Sequence, residues 1–555
     1  MQTAISLSRA ALFAALLAVV VYFPATGNRF ALDDVQIVER NPAAHTVAAA
    51  AAAFAQPYWP PEHGVGQWRP AVIGSFALDW QLSGGNTTWL HASNILLHAL
   101  VTALVVLFLA RYVTVAGALA GGILFAVHPL HVEAVASLVG RAELLAAGGL
   151  LGALLFAHAV RRRRAAQAST WLQEIGLTGC VVFALLSKES AAIAVALLWL
   201  DDRARPGETG RLPLRDYAAV IGVTLAWMMS RQFIDRGASF ANVAPAFIGL
   251  GAVGRISTML PVVLVVTRLM VWPWDLSYDY RPRVIDRLDH PTLVGVLGLL
   301  LLAALLALAL LAWRRHRTAS LGLLIILVAW LPTSNLLFPT GIVLSERTLY
   351  LPSAGLVLLA AYGVDAMARR RLTRAALLLP ALVALPLAAR TWTREDVWQS
   401  TRSLVLHGLT TQPESYSVHE AVARALWLRG QRVDALREYE VAVELFPLDP
   451  YLQTRVAAAA LEMGAPRNAL RHARAAERLD SSYAAAQQAL AIALLRLDSA
   501  PAALVHARRA YAALPNEPGF LNVLADVYDA LGASDSALAL RARVAAPHPP
   551  LSRQR

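Results

Sequence analysis

Asp33 and Asp34 are adjacent acids that follow the first apolar run of the chain by seven residues. A carboxylate pair held at the non-cytoplasmic membrane surface suits chemistry on a lipid-linked substrate. A second polar stretch, His128-Pro-Leu-His131-Val-Glu133 with Arg141 and Glu143 after it, lies between two apolar runs. By residue type His128, His131 and Glu133 could ligate a divalent metal, but their spacing is not that of a helical zinc pair. Hydrogen bonding, with Arg141 on a phosphate, suits them better, and a metal is left open. Lys188 is the only lysine; the other 48 of the 49 basic residues are arginine. A chain that uses Arg wherever either cation will do keeps one Lys, followed by Glu189, where a compact ammonium is needed. A charge near a membrane core costs roughly 2.5–3.5 kcal/mol, tolerated where a partner or ligand meets it. In Ser345-Glu346-Arg347 the guanidinium fork suits bidentate contact with anionic oxygens. Tyr278 and Asp279 form another polar pair in the segment Leu276–Tyr280. The ordinary reading of the acid pair is a solvated loop end, of Lys188 a chance survivor snorkelling to the surface, and of the others an ion pair within a loop.

Membrane elements must position these groups. The 555 residues are 57% hydrophobic and only 15% charged, which excludes a soluble globular class and points to a multi-span membrane protein. The positive charge behind the net +12 is almost all arginine, and many arginines cluster between apolar runs, at Arg161 to Arg164, Arg314-Arg315 with Arg317, and Arg369 to Arg371. Such clusters report topology, with cytoplasmic loops basic, rather than nucleic-acid binding. One cysteine, Cys180, allows no disulfide within the chain. Apolar runs lie near 9–26, 92–110, 113–128, 143–160, 171–187, 189–200, 217–230, 257–273, 292–313, 319–338, 353–368 and 373–390. The first reads as an uncleaved span. With the arginine clusters inside, the Asp33 loop, the 128–142 turn, the Lys188 turn and the 339–352 loop all face out. Parity then requires that residues 246–273, ending in Trp272-Pro-Trp274, not cross; they are expected to be re-entrant or to lie along the outer surface. Eleven spans remain, with the N-terminus inside and the C-terminus outside.

Beyond residue 391 the chain becomes Ala-rich with helical periodicity and it repeats. Gly430, Gly464, Asp498 and Gly532 are 34 residues apart, as are Ala435, Ala469, Ala503 and Ala537. Ala442, Ala476 and Ala510 continue the pattern, with Val544 in the fourth slot, and Pro413, Pro447, Pro515 and Pro549 share one ladder with Ser481 in its gap. A 34-residue helix–turn–helix period with small residues at crossings and proline at the exit is the tetratricopeptide pattern. Four repeats are expected over 416–549, after a half-unit carrying Trp392 and Trp398. The expected division is a membrane domain at 1–391, repeats at 392–549 and a tail at 550–555, all of it α-helical. Stacked helix pairs make a concave groove that suits a peptide.

Asp33-Asp34 after the first span, HPLHVEAVASLVGRAELL at 128–145, LLSKES at 185–190, LSYDY at 276–280 and SNLLFPTGIVLSERTLYLPS at 334–353, followed by the repeats, closely resemble the transmembrane and tetratricopeptide-repeat O-mannosyltransferases. That family is of the GT-C class, multi-span glycosyltransferases that use polyprenyl-phosphate sugars. The resemblance implies that Asp33 is the catalytic base, that Asp34 is the second acid, and that Lys188 and Arg347 lie near the donor phosphate. The expectation is a glycosyltransferase moving a sugar, mannose on the family's pattern, to Ser or Thr of a periplasmic protein held by the repeats. Arg141 joins the phosphate contacts. His128, His131, Glu133, Glu189, Tyr278, Asp279 and Glu346 line the cavity. Leu32 stands where animal members carry an aromatic residue, and the repeats are fewer, so cadherin acceptors are not implied. Glycosylation of a lipid or glycan, or a non-catalytic scaffold, are the alternatives. Ala-, Leu- and Arg-heavy usage suggests a GC-rich bacterial genome, hence the cytoplasmic membrane with periplasmic repeats.

Overall fold

The computed structural model describes residues 6–60, 66–205, 210–234 and 243–545, and every regular element among them is a helix. Helices suit the apolar runs because each satisfies its backbone amides internally, as a bilayer requires. Six helices have the length and apolar character of a span, or seven if the bent pair Val115–Ala126 and Pro129–Ala136 counts as one. Shorter helices such as Ala194–Ala204 and Arg317–Trp330 run between the same two ends of the bundle. An apolar-run count therefore reaches eleven where a length criterion does not. Small residues allow close approach: a Cβ on Gly355 would meet the Gly322 carbonyl of the neighbouring helix, and one on Gly149 the Cys180 carbonyl.

The two ends differ in chemistry. At one, Arg161 pairs with Asp201 and Asp202, Arg111 with Asp201 at 3.0 Å, and the Thr114 hydroxyl donates to Asp365 at 2.6 Å. The arginine clusters gather there. At the other end lie the Asp33 loop, the 128–142 turn, Lys188 and the 339–352 loop. Helix Ala252–Val271 has a span's hydropathy, but both its ends touch this second end. Arg255 donates to the Asn335 and Leu337 carbonyls, and the Met270 carbonyl meets His128 Nε2 at 3.1 Å. These contacts fit a helix lying along the surface, as parity demanded.

The repeats form four helix hairpins whose first helices, Tyr416–Leu428, Pro450–Glu462, Ala484–Leu495 and Pro518–Ala530, start 34 residues apart. The turn position requires left-handed backbone: φ is 78° at Gly430, 73° at Gly464 and 76° at Gly532, with Asp498 at 56°. Ala435, Ala469, Ala503 and Ala537 are fully buried where the helices cross. Pro549 and the 550–555 tail lie outside the described residues. Helix Thr373–Glu395 runs unbroken through 391, so the domain boundary expected there falls inside it. Trp398 is buried against the half-unit helix Thr401–Thr411, while Trp392 is exposed. The half-unit docks on the Asp33 loop: Arg29 N–H donates to the Gln399 carbonyl and Leu32 N–H to Thr401 Oγ1, both at 2.9 Å.

Candidate active site

The two adjacent acids have opposite surroundings. Leu32, with φ 50°, occupies a region that a branched side chain rarely adopts; the Thr401 contact and the burial of Asp34 hold it there. Such strain gathers at functional sites. Asp33, 41% exposed, faces Arg347 with Oδ2 3.8 Å from Nη2. Asp34 is fully buried. Its Oδ1 accepts from Val139 N–H at 2.9 Å and from the Ser137 hydroxyl at 3.4 Å, and its Oδ2 accepts from Ala31 N–H at 3.2 Å. Asp34 thus closes the loop onto the turn leading into helix Arg141–Ala165, where the helix dipole favours an acid. Burial pushes its carboxyl up to about 7, against the pull of the Val139 and Ala31 amides.

Arg347 is held by Glu133. One carboxylate oxygen accepts Arg347 N–H at 2.9 Å; the other accepts the Ser345 hydroxyl at 2.6 Å and lies 3.5 Å from Arg347 Nε. Beside it stand two more cation–carboxylate pairs. Arg69 forks onto Glu189 at 2.8 and 3.2 Å, and Lys188 rests on Glu143. Burial would raise the Glu189 carboxyl, but Arg69 outweighs it and holds the group at about 2. Arg69 also lies over the Tyr58 ring, 5.1 Å from its centroid. Lys188 and Tyr58 both sit in the fields of Arg69 and Arg347, and Tyr58 in that of Asp33 as well. The fold therefore assembles Asp33, Tyr58, Arg69, Lys188 and Arg347 from three stretches of the chain into one charged cluster, each cation oriented by its own carboxylate. Such a cluster can hold an anionic phosphate while a free carboxylate stands at its rim.

Other residues singled out from the sequence go elsewhere. Arg141 is 1% exposed and lies over the Phe76 ring. Its donors are taken by Asp79 at 2.6 Å, Asn94 Oδ1 at 2.7 Å and the Leu90 carbonyl at 3.1 Å. The phosphate contact expected of Arg141 does not fit that arrangement; it braces helices. His128 faces the Met270 carbonyl and His131 meets Ser353 Oγ at 2.8 Å. With Glu133 on Arg347 and Asp34 turned away from Asp33, these groups do not converge. Among the described residues no three His, Cys, Asp or Glu gather to hold a metal ion. Asp279 accepts the hydroxyls of Ser415 and Ser417, so Tyr278 and Asp279 join the repeats rather than line the charged cluster. Glu346 is fully buried, accepting Ser277 N–H at 2.5 Å and the Tyr280 hydroxyl at 2.8 Å, with Arg394 3.9 Å away. Burial lifts its carboxyl to about 7 although Arg394 opposes this. Sequence reasoning missed Arg69 and Tyr58. Their one signal was membership of the long loop that carries Asp33.

Fold and site together define a multi-span helical membrane protein with a charged cluster at one end and tetratricopeptide repeats docked beside it. No family model matches the chain. Over most of its length it is similar to curated protein O-mannosyl-transferases. It is 26% identical to F38B6.6 of Caenorhabditis elegans over 440 residues, covering 78% of this chain and 62% of that one. It is 28% identical to TMTC1 of Homo sapiens over 444 residues, covering 68% and 48%. With Tmtc2 of Drosophila melanogaster it shares 32% identity over 296 residues, covering 50% and 31%. The chain spans about half the length of the curated relatives it matches. Among solved structures, the oligosaccharyltransferase of Archaeoglobus fulgidus tethered with an acceptor peptide aligns at 13% identity and a TM-score of 0.40, covering 70% of this chain and 55% of that one. The tetratricopeptide protein TTC0263 of Thermus thermophilus aligns at 21% identity and 0.24, covering 30% and 85%. The resemblance read from the motifs is borne out.

Proposed function

We propose that the chain is an inverting glycosyltransferase that moves a mannosyl group from a polyprenyl-phosphate carrier to a Ser or Thr hydroxyl of a protein outside the cytoplasm. The observation that carries this reading is Asp33, the one member of the acid pair left accessible, 3.8 Å from Arg347 at the edge of a cluster with Arg69 and Lys188. The names of the curated relatives, protein O-mannosyl-transferases, support the reaction type. In the proposed reaction Asp33 accepts the proton of the acceptor hydroxyl as its oxygen bonds to the anomeric carbon. The bond from that carbon to the phosphate oxygen breaks, and its electron pair stays on the carrier phosphate. Arg347, Arg69 and Lys188 stabilise the charge that grows there. One carboxylate base and no enzyme nucleophile give inversion. Phosphate leaves readily, so the site needs no strong general acid. The repeats offer the acceptor protein a concave face beside the Asp33 loop.

The test is glycoproteomics of the periplasmic fraction from cells with and without the gene. Hexose should vanish from specific Ser and Thr residues when the gene is removed and return with the wild-type copy. Protein glycosylation that is unchanged, with sugar lost only from a lipid fraction, rejects the protein-acceptor reading.

A further inference from the structure

Tyr58 lies outside every motif read from the sequence, yet its surroundings are unusual. The ring is 3% exposed and packs in the cluster that holds Ile37, Ile73 and Phe76. The backbone is pinned by Tyr58 N–H donating to the Gln67 carbonyl at 2.7 Å. The hydroxyl is buried; its oxygen stands within reach of the Arg69 guanidinium, but among the described residues its O–H proton has no acceptor. Nearly all buried polar groups find a partner, and an orphaned one is costly. The ring end of this residue is placed beside charge: the Arg69 guanidinium lies over it, with Arg347 and Asp33 also acting on the hydroxyl.

We propose that the Tyr58 hydroxyl is a substrate-binding group that donates a hydrogen bond to an anionic phosphate oxygen of the carrier, beside Arg69 and Arg347. This rests on the donor reading above and adds to it a specific neutral donor. A phenol suits the place. Burial pushes its pKa upward, so it stays protonated and donates, and it brings no charge that the flanking guanidinium groups would attract when the pocket is empty. The ring fixes the O–H direction with little rotamer freedom to lose. The O–H proton has no acceptor in the free protein and gains one when phosphate arrives, so that part of the desolvation penalty is relieved only by the ligand.

The test measures binding of farnesyl phosphate, a short polyprenyl phosphate, to the full chain in detergent, with inorganic phosphate and farnesol as separate arms. Tyr58→Phe keeps the ring over Arg69 and removes only the donor. It should weaken farnesyl phosphate binding about tenfold or more, the loss of one hydrogen bond to a charged group, and leave farnesol binding unchanged. Weakening of inorganic phosphate by the same factor assigns the contact to the phosphate itself. Without ligand, Tyr58→Phe should melt close to the wild-type temperature, because the hydroxyl donates to no protein acceptor. Tyr112→Phe, which removes a hydroxyl bonded to Asp201 at the opposite end, should melt lower and bind normally. Wild-type binding of farnesyl phosphate with an unchanged Tyr58→Phe constant overturns this proposal alone. So does a Tyr58→Phe protein that melts well below wild type, or equal loss of farnesol binding. A wild-type chain that binds no farnesyl phosphate overturns the donor reading as well.

Discussion

Neutralising the two adjacent acids in turn should give opposite phenotypes, because one is accessible and the other is a buried acceptor. Asp33 is 41% exposed and its ion pair with Arg347 spans 3.8 Å. A pair of that kind contributes about 0–1 kcal/mol to stability, so Asp33→Asn should fold normally. If Asp33 is the base, the same change should lower turnover by about 10²–10⁴. Asp34→Ala removes the acceptor for Val139 N–H and Ala31 N–H. Two orphaned buried amides at roughly 1–3 kcal/mol each put the stability loss near 2–6 kcal/mol. The comparison belongs at pH 6. There the Asp34 carboxyl, with a pKa of about 7, is mostly neutral, and no relief of buried charge offsets the loss. Thermal unfolding in detergent reads stability. Transfer from polyprenyl-phosphate mannose to a Ser/Thr peptide reads turnover. Asp33→Asn with more than a tenth of wild-type activity refutes the base assignment. Asp34→Ala that is inactive yet as stable as wild type refutes the division of labour between the two acids.

Glu133→Gln should loosen Arg347 at both its backbone and its side chain, raising the donor KM or lowering kcat about tenfold while the fold persists; unchanged kinetics would show that Glu133 does not position Arg347. Lys188→Arg keeps the charge but enlarges a group packed on Glu143 with the side chain 10% exposed, an overpacking of about 1–3 kcal/mol, and normal donor turnover in that variant would remove Lys188 from the site. Glu346 has a folded pKa of about 7 against an ordinary 4.5, so the folded state binds its proton more tightly; stability should be greatest below about pH 4.5, fall through the interval to pH 7 at up to about 1.4 kcal/mol per pH unit, and then level off. Asp34 adds the same sign, and Glu346→Gln should flatten the slope, which urea titrations at several pH values would detect. A reporter fused after Arg555 should be active only outside the cytoplasm, and cytoplasmic activity would invert the proposed orientation.

The repeats were legible because their logic is local. A 34-residue period in Gly and Ala reports turns that need φ near 75° and crossings that admit only a methyl group. Parity of the arginine clusters pointed to a surface placement of Ala252–Val271, and the contacts at both its ends fit that placement, though the helix itself is apolar enough to cross. The roles of the polar residues were less so. Arg141 and Arg69 look equivalent in sequence, each a lone arginine at the mouth of a helix. Arg141 meets Asp79, Asn94 and the Leu90 carbonyl, whereas Arg69 is forked onto Glu189 in the charged cluster. Neither set of partners lies nearby in the chain.

The amino-acid order alone determined the helical class, the apolar spans, the repeat register and the loops that carry the chemistry, since each follows from short-range periodicity and the energetics of burying backbone in lipid. Only the tertiary structure decided that Asp33 is open and Asp34 closed, that Glu133 holds Arg347, and that Tyr58 and Arg69 join the site. Those outcomes depend on which side chains meet across separate helices, as where Asp34 meets Val139 and Glu133 meets Arg347, each pair more than a hundred residues apart in the chain.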